Sequence, residues 1–142
     1  MLTQEEKLKA INTSQESFAL CFACGNNNPV GLKLKFNQGK DEAVSDFIIS
    51  EAYQGWDGVV HGGILCTILD EAIAYTHFPD IKAVTVETRV RFRHPAPCGI
   101  PMTVHAKLVK KTRKLLNAIA VITLKDGTVI AECTSQSYVV TQ

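Results

Sequence analysis

From Leu32 to Phe36 the chain alternates, with Leu32, Leu34 and Phe36 on one side and Lys33 and Lys35 on the other. That period of two predicts a half-buried strand over GLKLKFNQ. AVSDFII, residues 43–49, predicts a second strand, and NQGKDE between them a hairpin turn. Upstream, a short helix fits Gln4 to Asn12, followed by the loop CFACGNNNPVG, dense in turn-forming residues. Residues 50–60, with YQGWDG, read as a second loop. The period then changes, and residues 62–77 follow a helical pattern. After Pro79 the chain turns β-branched in four segments: AVTVETRVRFRH, MTVHAKLVKK, LLNAIAVITL and VIAECTSQSYVV. PAPCGIP, TRK and KDG separate them, and Asp126-Gly127 is a strong hairpin signal. Strands in runs around one long helix predict an α+β fold with an antiparallel sheet, in a single domain spanning residues 1–142 with residues 1–20 as a helical extension.

Stepped at 100° per residue, the helix puts Ile64, Leu65, Ile68, Leu69 and Ala72 on one face, which should lie on the sheet. The other face carries Gly63, Cys66, Thr67, Asp70, Ile73, Ala74 and His77. It is small and largely apolar where a solvated face would show Lys, Glu and Arg. A second copy of the chain is the natural cover for it. Asp70 then stands as a half-buried carboxylate, of the kind that gathers at functional sites. Glu71, on the flank between the faces, is expected to be solvated or salt-bridged.

His61-Gly62-Gly63 stands at the helix start, where backbone N–H groups lack intrahelical acceptors and the dipole favours negative charge. Glycine there lets a carbonyl approach closely. A tight turn with His61 packed beside it would use the same residues, so the motif alone leaves both readings open.

Composition narrows the field. Fifteen basic and fourteen acidic residues give a net charge of +1, without the basic excess of a nucleic-acid binder. MLTQEEKLKAINTSQ is too polar for a secretory signal. The apolar run from Val59 to Ala74 is too short to span a bilayer and is broken by Asp70 and Glu71. No membrane association is expected, and the cytoplasm is the expected location. Five cysteines without a secretory context read as free thiols. Cys21 and Cys24 in CFACG supply two of the four ligands that a structural zinc site needs, so the expectation is a structural loop, with no metal and no cofactor.

GVVHGGILCTILDEA resembles the central-helix motif of hotdog-fold acyl-CoA thioesterases of the phenylacetate-pathway (PaaI-like) group. CFACGNNNPVGLKLKF and VTVETRVRFRHPAPCG resemble that group too, in the same order. The resemblance implies a long antiparallel sheet wrapped around one helix, in homodimers or homotetramers with sites at the dimer interface. It implies that the Gly62 N–H polarises the thioester carbonyl, that Asp70 acts as base or nucleophile, and that Thr85 orients the attacking water. Asp70 and Gly62 of one site would come from different subunits.

His61, Gly63 and Val86 are expected beside the substrate. Many PaaI-like enzymes carry an Asn in the loop before HGG; here Gln54 is the nearest amide. An acyl-CoA substrate also brings phosphates. Lys110, Lys111, Arg113 and Lys114 in one hairpin are the first candidates to meet them, and Arg89, Arg91 and Arg93 on one strand face the second. A hotdog protein that binds acyl-CoA without hydrolysing it is the alternative.

Overall fold

The computed structural model describes residues 1–3, 6 and 15–141. The helix expected over Gln4 to Asn12 lies, except for Glu6, outside the described residues. A short 3-10 turn, Gln15–Phe18, precedes the CFACG loop. Six strands then form one antiparallel sheet: β1 (Asn37–Gly39), β2 (Glu42–Phe47), β3 (Lys82–Phe92), β4 (Met102–Lys111), β5 (Leu115–Leu124) and β6 (Val129–Thr141). Their order across the sheet is β1-β2-β4-β5-β6-β3. The α-helix α1 (Gly62–Ala74) lies across the sheet's inner face.

Alternation explains that arrangement. In β4, Met102, Val104, Ala106 and Leu108 are buried while His105, Lys107 and Val109 face outward. In β5, Leu116, Ala118, Ala120 and Ile122 repeat the pattern in register. These inner residues meet Leu65, Ile68, Leu69, Ala72 and Ile73 of α1, and the helix and sheet share one core. At about 1.5–3 kcal/mol for each large aliphatic side chain buried, this contact dominates the fold's stability.

Three expectations change. GLKLKF keeps its alternation, with Leu34 buried, yet only Asn37–Gly39 joins the sheet. Lys33 sits in the left-handed region (φ 54°), which breaks the strand there. The backbone N–H groups of Leu32 and Leu34 instead donate to Phe22 and Ala23 at 2.8 and 2.9 Å, tying the segment to the CFACG loop. β2 ends at Phe47 rather than residue 49. The helix ends at Ala74, and the chain turns through Thr76 and His77 toward Pro79, which cannot continue a helix.

Ile73 and His77, expected on the face left for a partner, are buried within the single chain. The N-terminal loop packs against that side of the helix through Cys21 and Glu71. Gly63, Cys66, Thr67 and Asp70 stay exposed or half-exposed. Beside them β3 forms a sheet edge, with Val86 and Phe92 54% and 52% exposed.

Candidate active site

The helix start is built by its own cap. His61 is the N-cap residue, and its Nδ1 accepts from the Gly63 N–H at 2.9 Å. A Cβ on Gly63 would stand 3.1 Å from that nitrogen, so glycine at this position lets the cap ring lie down. The cap uses the Gly63 N–H, and no described hydrogen bond uses that of Gly62. Gly62 faces the Phe92 ring, which a Cβ would meet at an ordinary 3.5 Å. Beside it opens a cleft of about 570 Å³ lined by Trp56, Asp57, Val60, His61 and Gly62. Trp56 is 86% exposed at its rim.

Asp70 lies two turns further on, half-buried, and the Thr85 hydroxyl donates to its Oδ1 at 2.7 Å. Thr85 comes from β3 just before a break in the strand register between Thr85 and Glu87. That bulge leaves Val86 out of register and exposed beside the pair. Bulges of this kind re-aim side chains next to functional sites. Asp70 also has thiols for neighbours: burial and the Asp70 charge hold the Cys66 thiol above its ordinary value. Burial pushes Cys133 up to about 11, and Cys24 is raised as well. Thiols kept protonated in this way are poor nucleophiles.

Along one helix, Gly62 and Asp70 are ~12 Å apart at 1.5 Å rise per residue. A reacting carbonyl must sit about 3 Å from both its oxyanion donor and its attacking group. One chain therefore cannot direct both residues at the same atom.

Other expected positions fare differently. The Gln54 side chain turns into its own loop, where Oε1 accepts from the Gly58 N–H at 3.0 Å. Gly58 has φ +74°, so the loop is wound around that bond. Lys110, Lys111 and Arg113 are exposed at the β4–β5 hairpin. Lys111 pairs with Leu116, Leu116 with Ser137, and Ser137 with Thr85. The hairpin thus shares a cross-strand row with Thr85, three strand spacings or roughly 14 Å away. Lys111 is paired with Asp41 at 3.2 Å. Arg89 and Arg91 pair in register with Thr134 and Glu132, while Val90 pairs with Cys133 in the core. Both arginines thus project from the sheet face opposite α1, into a groove of about 580 Å³ with His105 and Lys107. Arg93 forms an ion pair with Glu132.

Glu71 departs most from expectation. It is not solvated: its carboxyl sits against the Cys21 and Cys24 thiols, and burial raises its pKa. Sequence reasoning placed it at the margin of the helix face but had no means of seeing which loop would cover it. The contact of Phe92 with the helix start was missed for the same reason.

The Thioesterase superfamily sequence profile matches residues 57–131, from the loop before the helix through β5 into β6. An uncharacterized mitochondrial protein of Candida albicans (strain WO-1) is 33% identical over 79 residues, 53% of this chain and 35% of that protein. The chain spans about a third of the length of the curated relatives it matches. Among solved structures, the smu.793 protein of Streptococcus mutans UA159, bound to acetyl CoA, superposes with a TM-score of 0.71 at 16% identity. That match covers 75% of this chain and 87% of the other. A mutant of the phenylacetic acid degradation protein PaaI from Thermus thermophilus superposes with a TM-score of 0.70 at 23% identity, over 75% and 93% of the two chains. These likenesses carry the fold, an antiparallel sheet around one helix. With the profile covering more than half of its length, the chain belongs to the thioesterase superfamily and has the hotdog fold.

Proposed function

We propose that two copies of the chain hydrolyse an acyl-CoA thioester to the free acid and coenzyme A. The observation that carries this reading is the division of labour along α1. A hydrogen-bonded carboxylate and an unused helix-start N–H occur in one chain, ~12 Å apart and so too distant to serve one carbonyl. A second copy related by a two-fold axis brings Asp70 of one chain to Gly62 of the other, twice over. The exposed β3 edge, with its unpaired backbone groups and the apolar Val86 and Phe92, is the surface on which such pairing is favourable.

In the proposed reaction, Asp70 takes a proton from a water that Thr85 helps orient. The water oxygen attacks the thioester carbon, and the carbonyl oxygen becomes an oxyanion facing the Gly62 N–H of the other copy. Collapse of the tetrahedral intermediate breaks the C–S bond, and the Asp70 proton passes to the leaving sulfur. His61 supports the helix start by capping Gly63, and the cleft beside Trp56 gives the acyl group an approach. Water and a carboxylate suffice; the scheme calls for no cofactor. Lys110, with Lys111 and Arg113 near it, meets the phosphates of the nucleotide in this scheme. The acetyl CoA bound to the Streptococcus mutans protein supports that substrate class.

Non-hydrolytic binding of the same ligand is the second reading. It is favoured by one observation: the Gln54 amide is engaged with Gly58 and leaves the loop without an amide aimed at the helix start. No helix among the described residues is long and apolar enough to cross a membrane. The free thiols fit a reducing compartment, and the cytoplasm is the proposed one. Fractionation separates this from the compartment named for the Candida relative.

A hydrolysis screen across acyl-CoA esters, with Asp70→Asn as control, tests the proposal. Turnover that vanishes in the variant supports it. Tight acyl-CoA binding without turnover in the wild type selects the second reading.

A further inference from the structure

Two thiols and a carboxylate that the proposed reaction leaves unused meet behind the helix. Cys21 and Cys24 come from the CFACG turn and Glu71 from α1, one residue beyond Asp70. Cys21 Sγ lies 3.9 Å from both Glu71 oxygens. One ligating atom from each of the three residues falls within 4.8 Å of the other two. For comparison, a sulfur and an oxygen held tetrahedrally on one zinc at ~2.3 and ~2.0 Å stand roughly 3.5 Å apart. Small side-chain rotations close that difference.

The turn holding the thiols is firmly built. Gly25, directly after Cys24, has no room for a side chain: a Cβ would stand 2.4 Å from the Cys21 nitrogen and 2.5 Å from the Ala19 carbonyl oxygen. Its N–H donates to the Cys21 carbonyl at 2.9 Å, and the Leu34 N–H holds the Ala23 carbonyl at 2.9 Å. Tyr75 stacks on Phe36 beside the turn, with centroids 4.6 Å apart. Metal ligands are commonly oriented by just such an outer layer of hydrogen bonds. A divalent ion satisfies a group of this kind in a way that S–H contacts as long as 3.9 Å do not.

We propose that Cys21, Cys24 and Glu71 form a zinc site that clamps the N-terminal turn to the central helix. The CxxC spacing alone offered two ligands and argued against a metal; the fold supplies the third. Two thiolates exclude magnesium and calcium, which take oxygen ligands, and the carboxylate favours zinc over copper(I). Water completes a tetrahedral shell.

The test reads metal content and stability rather than turnover, so the clamp stands or falls apart from the thioesterase reading. The full chain, purified with reductant and without chelator, is expected to carry one zinc per chain by elemental mass spectrometry. After stripping, cobalt(II) alone should produce a thiolate-to-cobalt charge-transfer band. Zinc at about 100-fold above Kd should raise Tm by several degrees. Cys21→Ser and Glu71→Gln should each weaken metal binding by at least about tenfold, while Cys98→Ser binds like the wild type. Failure of the reduced wild-type chain to take up either metal overturns the proposal. So does unaltered affinity in Cys21→Ser, or equal loss in Cys98→Ser.

Discussion

Asp70 and Glu71 are consecutive carboxylates on one helix, and they live in opposite surroundings. Asp70 turns toward the sheet edge, where a strand bulge aims the Thr85 hydroxyl at it and the space beyond is open. Glu71, rotated 100° around the axis, turns under the N-terminal loop and meets two thiols. The first carboxylate is held by one donor with its other lone pairs left for chemistry. The second is enclosed, with burial raising its pKa. Charge and chemistry are the same in both; the covering segment decides which stays open at the sheet edge and which is enclosed.

Exchanging each acid for its amide separates the two roles most strongly. Asp70→Asn should lower kcat by about 10²–10⁴-fold, the usual worth of a general base, with Tm within about 2 °C of the wild type. Glu71→Gln should show its effect in stability instead: zinc raises the wild-type Tm and leaves that of the variant where it was. Steady-state kinetics and thermal melts with and without zinc read both, and a reversal of the two patterns would contradict the contrast.

Thr85→Ala comes next. It removes a hydrogen bond to a carboxylate worth roughly 1.5–3 kcal/mol, so kcat should fall by about 10–100-fold, and Thr85→Ser should restore most of it. A threonine that merely fills space would be replaced as well by valine as by serine.

Smaller effects belong to the hairpin. Phosphate contacts are alike in ground and transition states, so Lys110→Gln should raise KM for acyl-CoA by about 2–5-fold with kcat unchanged. Lys111→Gln should do less, because Lys111 is already paired with Asp41. High salt should imitate both changes, and a short thioester without the nucleotide should ignore them.

The mildest test sits just past the helix end. His77 is buried, its Nδ1 hydrogen-bonded to the Ile81 carbonyl, and burial lowers its pKa. Below about pH 6.5 the unfolded chain binds a proton that the folded one resists, so stability falls as pH drops from there toward the lowered folded value. His77→Asn should flatten that part of the Tm–pH curve.

Much of this was legible from residue order. The four long strands lie within two residues of their expected bounds, and β4, β5 and β6 keep their alternation because each buries one face toward the helix. The resemblance names Thr85 and Asp70 for one site, and the fold brings their side chains to 2.7 Å. What stayed hidden depended on contacts between distant segments. Leu32 and Leu34 alternate like a strand, but their N–H groups are taken by the CFACG loop. Gln54 had the right chemistry to replace the loop Asn, and a left-handed glycine four residues on captured it. Glu71 stood at the edge of a helical wheel, which cannot show what packs over an edge.

The central claim is that Asp70 and Gly62 act together only across two copies, and mixing two broken chains tests it directly. Gly62→Pro removes the helix-start N–H at a position where proline is tolerated, and His61 already has the extended backbone (ψ 135°) that precedes proline. Asp70→Asn removes the base. Each variant alone should be inactive. Refolded together at equal amounts, they should recover about a quarter of wild-type activity, because half of the dimers are mixed and each mixed dimer has one intact site. No recovery, with mixed dimers demonstrably formed, would mean that both residues serve the same chain's site and would contradict the account.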